Sequence, residues 1–323
     1  MINRKVLIRC DASKEIGLGH ITRCLELAKQ LKKKDFEIIF AIKPYEICIE
    51  KIKEKDFSYV SCSLENFDYK KWILDCINKL NIDIFIADVR DGLPCELITL
   101  IKSKNILTIA IDEPSDYAKE CDLCFYPPHA KIDKTLYKGK VYQGLEYVIL
   151  REEFYGPFEK VKNEIPNILV MMGGTDAHNL TLDILKELEF KKDNFSINVI
   201  LNKKNKQYED VILFKKNSNK NIKIFSNINN MSMFLNNIDF GIISFGVSTY
   251  ELLCKRIPNV NICLDDEHFN SCDFFEKNSY SICVRKEKLQ IEDIFLEKDM
   301  LNFNVVECQM INKIKDSNEN RMV

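Results

Sequence analysis

The chain has 323 residues, 46% of them hydrophobic, with a formal net charge of −2. That length predicts about two domains, the apolar share is enough for a buried core, and near-neutral, interleaved charge argues against a nucleic-acid sleeve or a polybasic membrane anchor. No apolar run approaches the ~20 residues that span a bilayer, and the first residues lack a signal-peptide core, so a soluble cytoplasmic protein without stable membrane insertion is expected.

KVLIRC, residues 5–10, reads as the first strand, and ITRCLELAKQLKKK, residues 21–34, as an amphipathic helix with Ile21, Cys24, Leu25, Ala28 and Leu31 on one face. Between them lies DASKEIGLGH. Gly17 and Gly19 let the backbone turn with little side-chain bulk. His20 follows at the start of the helix, where the partial positive charge disfavours an imidazolium, so a neutral ring able to accept a proton is expected. Asp11 is placed to orient the loop or to bond His20. Arg9 on the strand and Arg23 one turn into the helix are either site residues or structural. An ordinary helix-start histidine is the bland alternative.

The runs FEIIFAI, FSYVSC, IDIFIAD, ILTIAID and CDLCFY follow, separated by amphipathic stretches such as YKKWILDCINKL. Strand–helix alternation of this kind predicts a mainly parallel sheet covered on both faces. The chain's thirteen cysteines read as small buried hydrophobes with free thiols. The pair Cys121 and Cys124 has no second ligand pair nearby and leads into a strand, so a structural role is expected and no metal site is assigned.

The pattern restarts near residue 166, after a polar stretch from Arg151 to Glu164, which predicts domains at 1–155 and 156–323. PNILVMM leads into GGTDAHN. Gly173 and Gly174 open a turn there, with Thr175 and Asp176 near the helix start, in a form suited to a diphosphate. Asp176 as a plain N-cap is the alternative. LTLDILKELEF is helical, and SINVIL, NIKIFS, DFGIIS, NVNICL and SYSICV are further strand-like runs. In DFGIISFGVSTYELL the strand ends at Ser244, Gly246 turns the chain, Ser248 begins a helix and Glu251 lies one turn in. A carboxylate there can accept both hydroxyls of a ribose while the serine and amides face phosphate; a Ser-x-x-Glu capping box explains the same residues without a ligand. Asp265, Asp266 and Glu267 read as solvated. The tail IKDSNENRMV reads as frayed. The fold expected is α/β, with two Rossmann-like doubly wound domains facing a cleft, a nucleotide in one and chemistry from the other, which is the glycosyltransferase-B plan.

RCDASKEIGLGHITRCLELA, YVILREEFY, ILVMMGGTD and ISFGVSTYELL together resemble the UDP-sugar hydrolases of pseudaminic-acid biosynthesis, which release UDP from a 2,4-diacetamido-2,4,6-trideoxy-altrose sugar. The resemblance spans both halves. It implies His20 as general base, sugar contacts from the first domain (Asp11, Gly17, Gly19, Arg23) and UDP contacts at Gly173, Gly174, Thr175, Asp176, Ser244, Gly246, Ser248 and Glu251. It implies no cofactor, no catalytic metal and inversion at the anomeric carbon, with the other enzymes of a nonulosonic-acid pathway as partners. Two positions depart from the family. Arg90 stands where the family commonly has tyrosine, and Glu267-His268 where it often has Asn-Gln; both bear on the sugar rather than the nucleotide. A glycosyltransferase using the same histidine on an acceptor hydroxyl, and a non-catalytic nucleotide-sugar binder, are the rival readings.

Overall fold

The computed structural model describes residues 4–13, 18–155, 159–173, 176–288 and 308–319. The chain divides into two compact units, Met1–Glu152 with Glu307–Val323, and Glu153–Val306.

In the first unit β1 (Arg4–Cys10), α1 (Gly19–Lys32), β2 (Phe36–Ile42), α2 (Glu46–Glu54), β3 (Ser58–Ser61), α3 (Tyr69–Leu80), β4 (Ile84–Asp88), α4 (Cys95–Ser103), β5 (Leu107–Ile111), α5 (Asp116–Glu120), β6 (Leu123–Tyr126) and β7 (Lys140–Gln143) follow one another. The strands form one parallel sheet in the order β3-β2-β1-β4-β5-β6-β7. β4 and β5 are buried at every residue, as central strands covered on both faces must be. α1 buries Ile21, Cys24, Leu25, Leu27, Ala28 and Leu31, the face its periodicity predicts plus Leu27. α3 coincides with YKKWILDCINKL; Asp68 caps its start by accepting from the Lys71 amide, and Asn81 ends it in the left-handed conformation. Each Ile or Leu fully buried this way is worth about 1.5–3 kcal/mol.

The second unit repeats the design with β8 (Asn167–Met171), α6 (Leu180–Glu189), β9 (Ser196–Ile200), α7 (Tyr208–Asn217), β10 (Asn221–Phe225), α8 (Met231–Leu235), β11 (Phe240–Ser244), α9 (Val247–Cys254), β12 (Asn259–Cys263), α10 (Asp266–Lys277) and β13 (Ile282–Arg285). Its parallel sheet runs β10-β9-β8-β11-β12-β13. In each sheet the winding reverses beside the unit's first strand, between β1 and β4 and between β8 and β11. Such switch points are where open α/β sheets bind ligands, outside the carboxyl ends of the strands.

Two features depart from the sequence reading. β7 is an extra strand, four residues long and largely half-exposed at the sheet edge, so it lacks the apolar signature of the other strands. The tail does not fray over the described residues. Gln309–Glu319 forms α11, packed on α1 and on the 3-10 turn at Leu145–Tyr147, with Met310, Ile311 and Ile314 buried. This helix belongs to the first unit and not to a domain spanning 156–323. Its apolar face is short and its neighbours are distant in sequence, so periodicity alone underrates it.

Cys121 and Cys124 are buried and lie near carbonyls of α5, Cys121 Sγ 3.6 Å from Tyr117 O and Cys124 Sγ 3.0 Å from Ala118 O. No helix among the described residues is long and apolar enough to cross a membrane.

Candidate active site

Cys10 on β1 pairs with Asp88 on β4, so the residues that follow β1 meet the end of β4 at the first switch point. His20 lies in the first turn of α1 and sets Nδ1 2.6 Å from Asp88 Oδ1. Asp88 is 1% exposed. Arg23, one turn further along α1, grips the same carboxylate in two places, from Nη2 to Oδ1 at 2.7 Å and from Nε to Oδ2 at 2.8 Å. Burial pushes the Asp88 carboxyl up, but the Arg23 charge and the hydrogen bonds from His20 and Arg23 outweigh it and hold Asp88 well below the usual carboxylate range. An ionised carboxylate only accepts, so His20 Nδ1 carries a hydrogen toward Asp88, which in the neutral form of the ring leaves the lone pair on Nε2. This is the His–Asp relationship of hydrolytic triads, recognised by geometry and role. The His20 side chain is 20% exposed, which leaves the ring partly open to solvent.

Arg23 Nη1 also reaches Asp112 Oδ2 at 2.9 Å. Expected among the sugar contacts, Arg23 is instead committed to two carboxylates, Asp88 and Asp112. Asp11 is a second correction. It does not bond His20. Its Oδ2 lies 2.5 Å from Arg9 Nη2, and its Oδ1 accepts from the Lys43 amide at 2.8 Å. Arg9, fully buried, also pairs with Asp91 at 2.6 Å and donates from Nε to the Tyr69 hydroxyl at 2.7 Å. Lys43 Nζ closes this cluster on Asp91 at 2.7 Å. Arg9 and Asp11 thus spend their charges on one another and on neighbouring strand ends.

Gly17 lies outside the described residues. At Gly19 no atom of the described residues outside its own stretch of chain lies within 4 Å of where a Cβ would sit. Arg90 is exposed just beyond β4, with Nη2 3.5 Å from the Asp112 carbonyl.

In the second unit Ile243 on β11 pairs with Met171 on β8. Gly173 follows β8 with φ +76°, a conformation that L side chains rarely adopt, and a Cβ there would lie 3.4 Å from Ser244 Oγ. Gly174 and Thr175 lie outside the described residues. At α9 the capping role falls to Thr249 rather than Ser248: its amide donates to the Gly246 carbonyl at 3.0 Å and its Oγ1 accepts from the Gly246 amide at 3.4 Å. The Ser248 hydroxyl, half-exposed, makes no hydrogen bond to another described residue. α9 has no acidic residue in its first turn, so the partial positive charge of its N-terminus stands uncompensated. Glu251 is 5% exposed on the same helix.

Asp176 is a third correction. Its carboxylate accepts from the amides of Leu180 at 2.9 Å and Thr181 at 3.0 Å, and the residue is 3% exposed. Both oxygens serve α6, as in the plain N-terminal cap that the sequence offered as the alternative. Asp176→Ala should therefore cost about 1 kcal/mol of stability and leave nucleotide affinity unchanged; calorimetry and thermal melts on that variant separate the two effects.

At the start of α10, Asp265 caps the helix by accepting from the His268 amide at 2.8 Å, and Asp266 pairs with Arg285 at 2.5 Å. Glu267 is exposed. The His268 ring lies 5.6 Å from the Phe245 ring, with Nδ1 buried and without a hydrogen-bond partner.

Sequence reasoning did not single out Asp88 or Asp112 as members of the site. The only signal for Asp88 was an aspartate ending an apolar run, IDIFIAD, which is where a strand-end site residue must lie.

No protein-family model matches the chain. Among curated proteins, it is 35% identical over 301 residues to an uncharacterized protein of Methanocaldococcus jannaschii, covering 85% of this chain and 59% of that protein. The chain thus spans well under two thirds of that archaeal relative. It is 27% identical over 283 residues to the UDP-2,4-diacetamido-2,4,6-trideoxy-beta-L-altropyranose hydrolase of Campylobacter jejuni, covering 86% of this chain and 98% of that enzyme. Among solved structures, Acinetobacter baumannii MurG superposes with a TM-score of 0.67 at 13% identity over 99% of this chain and 92% of MurG. A glycosyltransferase from Rickettsia africae superposes with a TM-score of 0.62 at 16% identity over 100% of this chain and 99% of that one. The two parallel-sheet α/β units and these neighbours give the chain a glycosyltransferase-B-type fold, and its sequence is related to that of the Campylobacter hydrolase.

Proposed function

We propose that this chain hydrolyses a UDP-linked sugar by attack of water at the anomeric carbon, with a diacetamido-trideoxy sugar of the kind named for the Campylobacter relative as its substrate class. The observation that carries this reading is His20 Nδ1 at 2.6 Å from the buried, ionised Asp88, because it leaves Nε2 as a base held in one orientation. In this reaction Nε2 takes a proton from water. The water oxygen bonds to the anomeric carbon as the bond from that carbon to the phosphate oxygen breaks. The electron pair leaves on the diphosphate, and the anomeric centre inverts. Asp88 steadies the imidazolium formed. In the second unit the start of α9, with no acidic residue in its first turn, and the Ser248 hydroxyl are the candidate diphosphate contacts, and Glu251 is the candidate ribose contact. Arg90 and Glu267, both exposed, are the candidate sugar contacts.

The test is NMR and mass analysis of products from a panel of UDP-sugars in heavy-oxygen water, with and without acceptor alcohols. Free sugar of inverted configuration, with the heavy oxygen on its anomeric carbon, is expected without any acceptor. Heavy oxygen on UDP would place the attack at phosphorus and overturn the assignment. Turnover only in the presence of an acceptor would make the chain a glycosyltransferase that uses the same histidine.

The nucleotide assignment is tested separately. Glu251→Ala should weaken UDP binding about tenfold or more, since a hydrogen bond to a charged group is worth about 1.5–3 kcal/mol. Unchanged affinity by calorimetry would remove Glu251 from the nucleotide site.

A further inference from the structure

The thirteen cysteines are not all isolated core residues. Cys263 ends β12, Cys272 lies on α10 and Cys283 lies on β13. All three are buried, and their sulfur atoms lie within 4.8 Å of one another; Cys263 Sγ and Cys272 Sγ are 3.2 Å apart. The strands set this up. β12 and β13 pair with Asn261 opposite Cys283 and Cys263 opposite Arg285. Cys263 and Cys283 therefore share one face of the sheet as diagonal neighbours, and α10 lays Cys272 over them.

A zinc–sulfur bond of about 2.3 Å in a tetrahedral site separates the sulfurs by about 3.8 Å, a spacing that sulfurs all within 4.8 Å of one another can reach with small side-chain shifts. Among the described residues this is the only such grouping of metal-ligating side chains. His268 stands one helical turn before Cys272 on the same face of α10. Its Nδ1 is buried and has no hydrogen-bond partner among the described residues, but its ring nitrogens do not join the sulfurs in that grouping. Three converging thiols are more than a small-hydrophobe role requires, since such thiols are at best weak hydrogen-bond donors to one another.

We propose that Cys263, Cys272 and Cys283 form a three-thiolate binding site for one thiophilic metal ion of the zinc type that clamps α10 to β12 and β13. On binding, each thiol releases its proton to solvent and becomes a thiolate ligand; no oxidant or reductant is involved. The inference does not rest on the proposed UDP-sugar chemistry.

The test uses the full, reduced chain with zinc and cobalt ions as probes. One zinc per chain is expected, and the cobalt form should show thiolate-to-metal charge-transfer absorption. X-ray absorption of the zinc-loaded wild type should show three sulfur neighbours. Cys272→Ser and Cys283→Ser should each lose tight binding, and a Cys121→Ala, Cys124→Ala protein should keep it. Chelation should lower the melting temperature of the wild type. Because the serine variants can fail to fold, the wild-type absorption spectrum decides independently: a zinc shell without sulfur, or no zinc uptake by reduced protein, overturns the site. So does zinc stoichiometry unchanged in a folded Cys272→Ser protein. A Cys263–Cys272 disulfide in protein prepared without reductant, with no zinc uptake after reduction, would show that the pair is built for oxidation instead.

Discussion

Replacing His20 by Asn should lower turnover by about 10²–10⁴-fold, the usual contribution of a general base, while UDP affinity stays near that of the wild type. The reasoning is local. Asn retains a group able to hydrogen-bond Asp88, and Asp88 keeps both contacts from Arg23, so the carboxylate is not left unpaired and the melting temperature should move little. The Asn side chain cannot take a proton from water. A histidine with only a packing role behaves in the opposite way: its loss would lower the melting temperature and spare turnover measured well below it. Turnover, UDP affinity and melting temperature on the same protein therefore separate the two roles. Near-normal turnover would sink the mechanism.

Asp88→Asn carries the second large effect, and it acts on both activity and stability. The Asn amide presents an N–H toward His20 Nδ1, which favours the tautomer with hydrogen on Nε2 and removes the base. In a His–Asp pair of this kind the neutral substitution lowers turnover by roughly 10⁴-fold. It also strips Arg23 of the partner it grips in two places, leaving Asp112 alone. Breaking a buried ion pair costs about 3–5 kcal/mol, and the surviving Asp112 contact places the expected loss near the lower end.

The pH dependence carries a definite sign. Asp88 is driven down in the folded state, because the Arg23 charge and the hydrogen bonds outweigh the upward push of burial. A depressed carboxylate contributes stability that is fully present above the unfolded-chain value of about 4 and is lost as the pH falls through the folded-state value. The stability gap between wild type and Asp88→Asn, measured by urea unfolding, should be widest at neutral pH and narrow from about pH 5 downward. A gap that is flat or widens in acid would show that Asp88 is not the ionised partner of Arg23.

Much of this molecule is legible in the sequence, for a definite reason. A parallel strand covered on both faces must be apolar at nearly every residue. FEIIFAI and IFIAD therefore announce themselves, and helix-period stretches such as the one carrying Ile21, Cys24 and Leu31 mark the crossovers. The strand-end loops follow from that alternation, so His20, Gly173, Ser244 and Gly246 could be placed at strand ends before any coordinates. What escaped were elements whose signal lies in a distant partner. β7 is a short edge strand that pairs only with β6, and α11 buries Met310 and Ile314 against a helix almost the whole chain length away.

Side-chain partnership divides the same way. Local sequence fixes which residues stand near a strand end, but not which of several nearby charges meet. Asp11 was the partner the sequence offered for His20; the pairing of β1 with β4 instead brings Asp88 under the histidine and leaves Asp11 to Arg9. Asp176 belonged to a nucleotide or to a cap until its two oxygens were seen on the α6 amides. The convergence of Cys263, Cys272 and Cys283 has no spacing motif at all, because two strands and the helix packed over them supply one thiol each. By itself the sequence determined the two doubly wound units and the loops where chemistry belongs, since both follow from the period of apolar residues. Only the tertiary structure decided which charge pairs with which, because the energy of a buried ion pair or a thiol cluster depends on ångström distances between segments far apart in the chain.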